Sequence, residues 1–221
     1  MSGSANNDGQ NRNLELLDTS GTRKLYVKYM VCLRDRRILK SILDDIGFNY
    51  EITFHGAIHF LEEYTDAQYD ELKKSLSETG MILLTEKEST LIDRIIHTIV
   101  EVIHHSETLP KLSFHDLVNK HVISGEDSVF KIFSDVNGMS VIQFIVIQKI
   151  ERAKELMLYE DMPIDDIAEV LNYKNKHYLI AQFKKTTGLT PRYFMRLKKE
   201  RQNISKNYSH SPTSGVGGVS S

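Results

Sequence analysis

The sequence predicts an α+β domain followed by an all-α domain. Residues 23–86 contain short β-rich runs between amphipathic helical patterns, whereas residues 89–203 contain helical patterns only. The short link Glu86-Lys87-Glu88 separates the two regions. Residues 1–22 and 204–221 are polar or rich in Ser and Gly and lack hydrophobic periodicity, so we expect both ends to be disordered.

The composition is that of an ordinary globular chain. Of its 221 residues, 40% are hydrophobic, which is enough for the cores of one or two domains. No run approaches the roughly 18 to 20 apolar residues of a membrane span, and the start MSGSANNDGQ lacks the apolar core of a signal peptide. A single cysteine excludes an intrachain disulfide. These features predict a cytoplasmic protein without a membrane partner.

The predicted elements of the first region follow the order βαββαβ. They are a strand at 24–33, a helix at 35–46, a hairpin of 50–54 with 57–61, a helix at 65–79 and a strand at 81–84. Gly47 and Gly80 end the two helices, and Thr65 or Asp66 caps the second one. Because this order places two helices on one face of a sheet, it predicts a ferredoxin-like domain.

The first loop of this domain carries the run Met30-Val31-Cys32-Leu33-Arg34-Asp35. It resembles the first half of the M-x-C-x-x-C metal loop of heavy-metal-associated domains, which have the same topology. Asp35 stands where the second thiolate would be, and soft ions such as Cu(I) prefer sulfur ligands. We therefore predict a degenerate domain that binds neither Cu(I) nor Zn(II) tightly and needs no cofactor.

The sequence pattern of residues 162–195 predicts two short helices joined by a tight turn. The first helix begins after Pro163, and its apolar stripe consists of Ile164, Ile167, Ala168 and Leu171. Asn172 follows where the turn needs a left-handed residue, which Asn tolerates better than other non-glycine residues. The second helix runs from about 175 to 185 and directs Leu179 and Phe183 toward the first. This is the pattern of a helix-turn-helix motif, whose second helix enters the major groove of DNA.

The formal charge is distributed unevenly along the chain. Residues 174–206 contain ten Lys or Arg residues and one acidic residue, Glu200, which gives this segment a charge of +9. Because the whole chain carries −2, the rest carries −11. A solvated basic helix end would explain Lys198, Lys199 and Arg201 alone. Since the positive charge coincides with the helix-turn-helix pattern, we favour double-stranded DNA as the partner.

Three blocks, ERAKELML, DIAEVLNY and FKKTTGLTPRYF, occur between residues 151 and 194. In this order and spacing they resemble the AraC family of bacterial transcription regulators. The resemblance implies a double helix-turn-helix domain, with a first motif at 113–138, a rigid linker helix at 140–159 and a closing helix at 191–203. It also implies that a helix at 90–105 precedes the first motif.

The second motif is predicted to dominate DNA reading. Contacts with base edges are expected from Asn175, Lys176 and His177, and apolar contacts such as those with a thymine methyl from Ile180 and Ala181. Phosphate contacts are expected from Lys174, Lys184, Lys185 and Arg192. In the first motif, the helix at 127–135 exposes Asp127, Phe130 and Lys131. Carboxylates repel phosphate, so we predict that this helix is a weak reader.

No pattern in the sequence indicates an enzyme. The adjacent His104 and His105 point to different sides of a helix, and His55 and His59 have no carboxylate or cysteine at a metal-ligand spacing. Cys32 has no recognisable catalytic partner, and no G-x-S-x-G, phosphate-loop or dinucleotide fingerprint occurs. We therefore assign no catalytic or metal-binding residue.

Two functions of different classes remain open at this point. The first is a sequence-specific DNA-binding regulator whose N-terminal domain modulates it, binds a small-molecule effector or forms a homodimer. The second is a protein-interaction or ligand-sensing module that uses the helix-turn-helix fold as a scaffold. The charge distribution favours the first. The sequence leaves open the operator, the direction of regulation and contact with RNA polymerase.

Overall fold

A computed structural model describes residues 23–53, 56–106, 109 and 127–209. The described residues within Met1–Ile95 and Val122–Val141 form one compact unit, and those within Ile96–His121 and Ile142–Ser221 form a second. The α+β region followed by helices agrees with the prediction. The chain does not divide at Glu86-Lys87-Glu88, because this tripeptide forms the first turn of a long helix.

The strands of the first unit are short and belong to two small sheets. Strands β1 (Lys24–Leu25), β4 (Ile58–Phe60) and β3 (Tyr50–Ile52) pair in that order, and both pairs are antiparallel. Strands β2 (Val27–Lys28) and β5 (Ile82–Leu83) form a separate antiparallel pair. The predicted hairpin is therefore present as β3 and β4, although His55 of its turn lies outside the described residues.

Tyr26 interrupts the first predicted strand. Its backbone N–H donates to the Ser89 hydroxyl at 3.2 Å, and its carbonyl accepts from the N–H of Leu84 at 2.8 Å. Its own hydroxyl donates to the Asp93 carboxylate at 3.0 Å, and burial raises the pKa of Tyr26 above its ordinary value. These bonds satisfy the buried backbone groups of Tyr26 outside the regular pairing of strands. The predicted strand at 24–33 is therefore divided into β1 and β2, and it ends at Lys28.

Two helices pack on the core of this unit. Helix α1 (Leu33–Ile46) begins two residues earlier than predicted and ends at Gly47, whose φ of 83° is left-handed. Helix α2 (Asp66–Glu78) begins at the predicted Thr65 cap, where Gln68 completes a capping box. The buried core that the strands and helices share includes Leu25, Val27, Leu39, Leu43, Leu72 and Leu76.

The remaining described elements are helices. They are α3 (Glu86–His105), α4 (Asp127–Asn137), α5 (Val141–Tyr159), α6 (Ile164–Val170), α7 (Lys176–Thr187) and α8 (Pro191–Ser209). Ile142 of α5 fits an inward apolar stripe with Ile145 and Val146 by helical spacing, yet it is 74% exposed. The buried stripe instead runs through Val141, Phe144, Ile145 and Gln148. Gln148 lies in the core because its side-chain oxygen is 3.1 Å from Nε2 of His104.

Helix α3 begins four residues before the predicted start at Thr90. The hydroxyl of Thr85 accepts from the N–H of Glu88 at 3.3 Å, and the Glu88 carboxylate accepts from the N–H of Thr85 at 3.0 Å. This reciprocal pair is a capping box, which satisfies two backbone donors at the helix start. The sequence Thr-x-x-Glu therefore marked the true beginning of the helix.

No single helix in the described part of the chain is long and apolar enough to cross a membrane. The segments Val129–Asn137 and Val141–Tyr159 meet the requirements of length and composition only as a pair, which is bent by 59°.

The capping box at the start of α3 leads to a stability prediction. Thr85→Ala should lower the free energy of unfolding by about 1 kcal/mol, because it removes the side-chain acceptor at the helix start. Thr90→Ala should change it by less than about 0.5 kcal/mol, because Thr90 is exposed inside the helix and Ala favours helix. Urea unfolding followed by circular dichroism measures both. A larger loss in Thr90→Ala than in Thr85→Ala would contradict this helix start.

Candidate nucleic-acid interface

The turn between α6 and α7 has the geometry that the sequence predicted. Asn172 is left-handed with a φ of 51°, and its N–H donates to the carbonyl of Glu169 at 2.9 Å. The N–H of Tyr173 donates to the carbonyl of Ala168 at 2.8 Å. Ile167, Ala168 and Leu171 are buried, as the apolar stripe predicted. The turn is therefore closed by backbone hydrogen bonds and anchored by the apolar face of α6.

Tyr173 holds the turn against α5. Its hydroxyl is buried and has no hydrogen-bond partner in the described part of the chain, and burial raises the pKa of Tyr173 to about 12. The ammonium group of Lys149 lies 5.2 Å from the centroid of the Tyr173 ring. Burial also lowers the pKa of Lys149. This contact fixes the turn from the α5 side and leaves α6 and α7 to present the surface.

Helix α7 is fixed by a polar cap at one end and by apolar anchors along one side. The Asn175 side-chain oxygen accepts from the N–H groups of His177 at 3.0 Å and Tyr178 at 3.2 Å. Leu179 and Phe183 are fully buried, as predicted. Phe183 packs edge-on against Phe194 of α8, with the ring centroids 5.7 Å apart. The opposite side of α7 is therefore the exposed one.

The residues predicted to contact base edges do not share one environment. His177 and Ala181 are exposed on one side of α7. Asn175 is exposed, but its oxygen caps the helix. Lys176 is only half-buried and forms an ion pair with Asp165 of α6 at 3.0 Å. Ile180 is half-buried and lines a cavity instead of facing solvent.

The residues predicted to contact phosphates are exposed. Lys174, Lys184 and Lys185 flank the exposed side of α7, and Arg192 lies in the first turn of α8. His177, Ala181 and Lys184 follow the spacing i, i+4 and i+7, which places them on one helix face. The structure thus brings these cations beside the exposed part of the second helix of the motif.

Sequence reasoning missed an aromatic residue in the first turn of α7. Tyr178 is 55% exposed, and the ammonium group of Lys174 lies 5.8 Å from its ring centroid. Its position directly before the inward Leu179 was the available signal, because adjacent helix positions point about 100° apart. When Tyr is classified by hydrophobicity alone, its exposed position on the helix is overlooked.

Helix α8 contributes further cations that sequence reasoning did not assign. Arg196 and Lys199 are exposed at spacings i+4 and i+7 from Arg192, so the three lie along one side of the helix. The Arg196 guanidinium lies 4.4 Å from the Tyr193 ring centroid and 3.7 Å from a Glu200 oxygen. Lys198, by contrast, is buried and pairs with Asp161, so it does not belong to the exposed positive charge.

The helix of the first motif, α4, belongs to the unit that contains the strands. Lys131 is exposed, as predicted, whereas Phe130, which was predicted to be exposed, is half-buried, and Phe133 is buried. The N–H of Tyr29 donates to the carbonyl of Asp135 at 3.0 Å, which connects the segment after β2 to the last turn of α4. The side chain of Asp127 and residues 113–126 of the predicted first motif lie outside the described residues.

The loop that resembles a metal site is used as a helix cap. The Asp35 carboxylate accepts from the N–H groups of Val31 at 2.8 Å and Cys32 at 2.9 Å. The hydrogen bond from Cys32 keeps the pKa of Asp35 below its ordinary value. Cys32 is exposed. The side chain at position 35 therefore reaches back to the residue that carries the one thiol.

Comparison with known proteins gives a family model, curated relatives and solved structures. The family model described as a helix-turn-helix domain matches residues 122–197.

Three curated relatives come from Bacillus subtilis (strain 168). The uncharacterized HTH-type transcriptional regulator YtdP is 29% identical over 120 residues, covering 52% of this chain and 15% of YtdP. The bifunctional transcriptional activator/DNA repair enzyme AdaA is 29% identical over 75 residues, covering 34% of this chain and 36% of AdaA. The transcriptional regulatory protein YesN is 28% identical over 110 residues, covering 49% of this chain and 29% of YesN.

Two solved structures also match. The C-terminal domain of AraT, a response regulator from Geobacillus stearothermophilus, is 25% identical, with a TM-score of 0.43 over 49% of this chain and 86% of that domain. The DNA-binding domain of the global transcriptional factor AdpA, solved with a target DNA, is 15% identical, with a TM-score of 0.44 over 51% of this chain and 96% of that domain.

Residues 122–197 are therefore a helix-turn-helix domain. The predicted resemblance to the AraC family is confirmed, so this domain is of AraC type. The chain spans between 15% and 36% of the length of the three curated relatives, so the match concerns this domain and not their whole length.

The cap at Asp35 leads to a prediction about metal binding. The natural chain should not retain Cu(I), because it offers one thiolate and a carboxylate at this loop. Asp35→Cys should bind one Cu(I) per chain, because the position-35 side chain already reaches Cys32 and would supply the second sulfur. Competition with a chromogenic chelator measures both, and Asp35→Ser is the matched control. If the natural chain retained Cu(I) tightly and Cys32→Ser abolished this retention, the loop would be a working metal site and the prediction would be wrong.

Proposed function

We propose that this protein is a sequence-specific DNA-binding transcription regulator of AraC type and that α7 is its principal reading helix. The observation that carries the proposal is the exposed, basic side of α7, which coincides with the second helix of the helix-turn-helix domain. In such motifs the first turns of the second helix contact base edges in the major groove. The names of YtdP, AdaA and YesN, which include transcriptional regulation or activation, support the same class.

The two exposed positions His177 and Ala181 are the residues we assign first to base contacts. An imidazole can donate to or accept from a base edge, and the alanine methyl group fits against a thymine methyl group. Tyr178 lies beside them in the first turn and adds an exposed hydroxyl group. Helix α7 thus presents both polar and apolar contacts, as direct readout of sequence requires.

Lys176 and Asn175 remain in the proposed reading surface with altered roles. The ion pair between Lys176 and Asp165 is partly exposed, and such pairs contribute only about 0 to 1 kcal/mol. DNA can therefore replace Asp165 as the partner of Lys176 at a small cost. Asn175 uses its oxygen as the helix cap, which leaves its NH₂ group for a base or phosphate. We assign Ile180 to the packing beneath this surface.

A row of cations extends the proposed phosphate contacts beyond α7. Lys174, Lys184 and Lys185 border the reading surface, and Arg192, Arg196 and Lys199 follow one side of α8. Phosphate contacts position a protein on DNA without reading its sequence, and each contributes to the salt dependence of binding. We therefore propose that α8 holds the backbone beside the groove that α7 reads.

The first motif is proposed to have a secondary role. Its helix α4 exposes Lys131, and Asp135 in its last turn provides a carboxylate that phosphate repels. The same helix is tied to the segment after β2 through Tyr29. We infer that α4 serves mainly as a packing element of the unit that contains the strands.

We further infer that the N-terminal unit is a ferredoxin-like domain. If β1 and β2 are counted as one strand that Tyr26 interrupts, the order becomes β5, β1–β2, β4 and β3, with each pair antiparallel. That is the order of the βαββαβ fold. A role of this unit in forming a homodimer or in contacting RNA polymerase is compatible with the proposal and is not required by it.

A gel-shift series on a duplex selected from random DNA tests the assignment. His177→Ala should cost about 1 to 3 kcal/mol of binding free energy and relax sequence preference at one or two positions, because it removes a base contact. Lys184→Ala should weaken binding to all sequences alike and reduce the salt slope by about one unit, because it removes a phosphate contact.

Two control variants accompany this series. Lys131→Ala in α4 should cost less than Lys184→Ala, and Lys73→Ala on the exposed side of α2 should have no effect. If no selected DNA binds more tightly than random DNA, the protein is better described as an interaction module that uses the fold as a scaffold. If Lys131→Ala abolishes binding while His177→Ala is silent, α4 and not α7 reads the DNA.

A further inference from the structure

An apolar cavity of about 370 Å³ lies directly behind the reading helix. The end of α5, the starts of α6 and α8, and the middle of α7 line it. Three methionines, Met157, Met162 and Met195, and two isoleucines, Ile164 and Ile180, supply most of the apolar wall. Except for Met157, these side chains are only half-buried, so they leave apolar surface that an occupant would cover.

The dimensions and side chains of this cavity suit a small ligand. Its volume lies within the range of about 300 to 1,000 Å³ that is usual for ligand pockets. Methionine side chains are flexible and polarisable, so they adapt to apolar groups of different shape. Pro163 and Pro191, which also line the cavity, have no backbone N–H, which reduces the number of polar groups that an apolar occupant would leave unpaired.

The charges around the cavity favour an anionic occupant. Asp161 is the acidic residue at the rim, and it is already paired with the buried ammonium group of Lys198. Lys198 also donates to the carbonyl of Met157 at 3.1 Å, so this wall is neutralised and fixed. Arg192, which also lines the cavity, is exposed, and no ion pair involves it among the described residues.

Two further features add positive potential near Arg192. It lies in the first turn of α8, where the helix dipole favours negative charge. Arg196 and Lys199 continue the basic side of the same helix next to the cavity. An apolar body in the cavity would therefore carry its anionic group toward Arg192.

We propose that this cavity binds a small apolar carboxylic acid as its carboxylate and that the bound acid weakens DNA binding. The acid would place its hydrocarbon part against Met162, Ile180 and Met195 and its carboxylate on Arg192. The second half of the proposal rests on the proposed function, in which Arg192 contacts a phosphate and Ile180 supports the reading helix. Since one guanidinium group cannot serve both anions fully, acid and DNA oppose each other's binding by the same factor.

Methyl-labelled methionine provides a direct test in the full chain, with octanoate as the probe. Octanoate should shift the NMR signals of Met157, Met162 and Met195, which line the cavity. The signals of Met30, Met81 and Met139, which belong to the other compact unit, should stay unchanged and serve as internal controls. Acetate, which lacks the tail, should shift none of them, and octanol, which lacks the charge, should bind about tenfold more weakly than octanoate.

Variants separate the charge from the cavity. Arg192→Gln should lower octanoate affinity about tenfold, to that of octanol, because it removes a charge-assisted hydrogen bond. Ile164→Phe should block both compounds by filling the cavity, and Lys73→Gln on α2 should leave both unchanged. The cavity assignment is overturned if octanoate fails to shift the three cavity methionines or shifts all six equally. It is also overturned if Arg192→Gln keeps the preference for octanoate over octanol.

The effect on DNA is measured separately. Saturating octanoate should weaken binding of the selected duplex about tenfold, which corresponds to the loss of one charge-assisted contact, and acetate should have no effect. If octanoate binds in the cavity and DNA affinity stays constant, the proposal that the bound acid weakens DNA binding is wrong. If the chain binds no DNA in the absence of octanoate, the proposed function is wrong. Shifts of the three cavity methionine signals would still show that octanoate binds in the cavity.

Discussion

Burial of Leu179 and Phe183 is the constraint on which the rest of the DNA-binding surface depends. Both side chains are fully buried, and burying an apolar side chain of this size stabilises a protein by about 1.5 to 3 kcal/mol. The pair fixes the rotation of α7 about its own axis, so His177 and Ala181 are left on the exposed side. Replacing either anchor by a polar residue would therefore disturb which side chains face DNA, in addition to stability.

The polar contacts around α7 then refine the surface that the anchors define. The Asn175 cap fixes the first residue of the helix, and the left-handed Asn172 closes the turn before it. Phe194 packs against Phe183, so α8 is held beside α7. The reading surface, the phosphate row and the cavity behind them thus depend on one small apolar cluster.

Much of this could be predicted from the sequence, because the signals are local. The stripe of α6, the cap at Thr65, the left-handed Asn172 and the anchors of α7 all depend on residues within a few positions of one another. The exposed cations of the second motif could also be predicted, since helical periodicity separates an anchored face from a solvated one. Three sequence blocks were sufficient to indicate the AraC-type domain that the family comparison confirms.

The remainder depends on contacts between distant parts of the chain. Ile142 fits the apolar stripe of α5 by spacing, yet Gln148 takes an interior position because His104 binds it. Tyr26 divides a strand because Ser89, which is 63 residues away, accepts its N–H. In the same way, the partners of Lys176 and Lys198 are known only once the helices are packed. Periodicity assigns a face to each residue, but it does not choose a partner among residues on other elements.

The most direct test of the central claim is a map of amide chemical shifts in the full-length, ¹⁵N-labelled protein during titration with a selected duplex. The largest changes should occur at residues 174–185 of the second motif and at 192–199 along α8, with smaller changes at 127–137. Dominant changes at 127–137, with little change around His177 and Ala181, would contradict the claim that α7 is the principal reading helix.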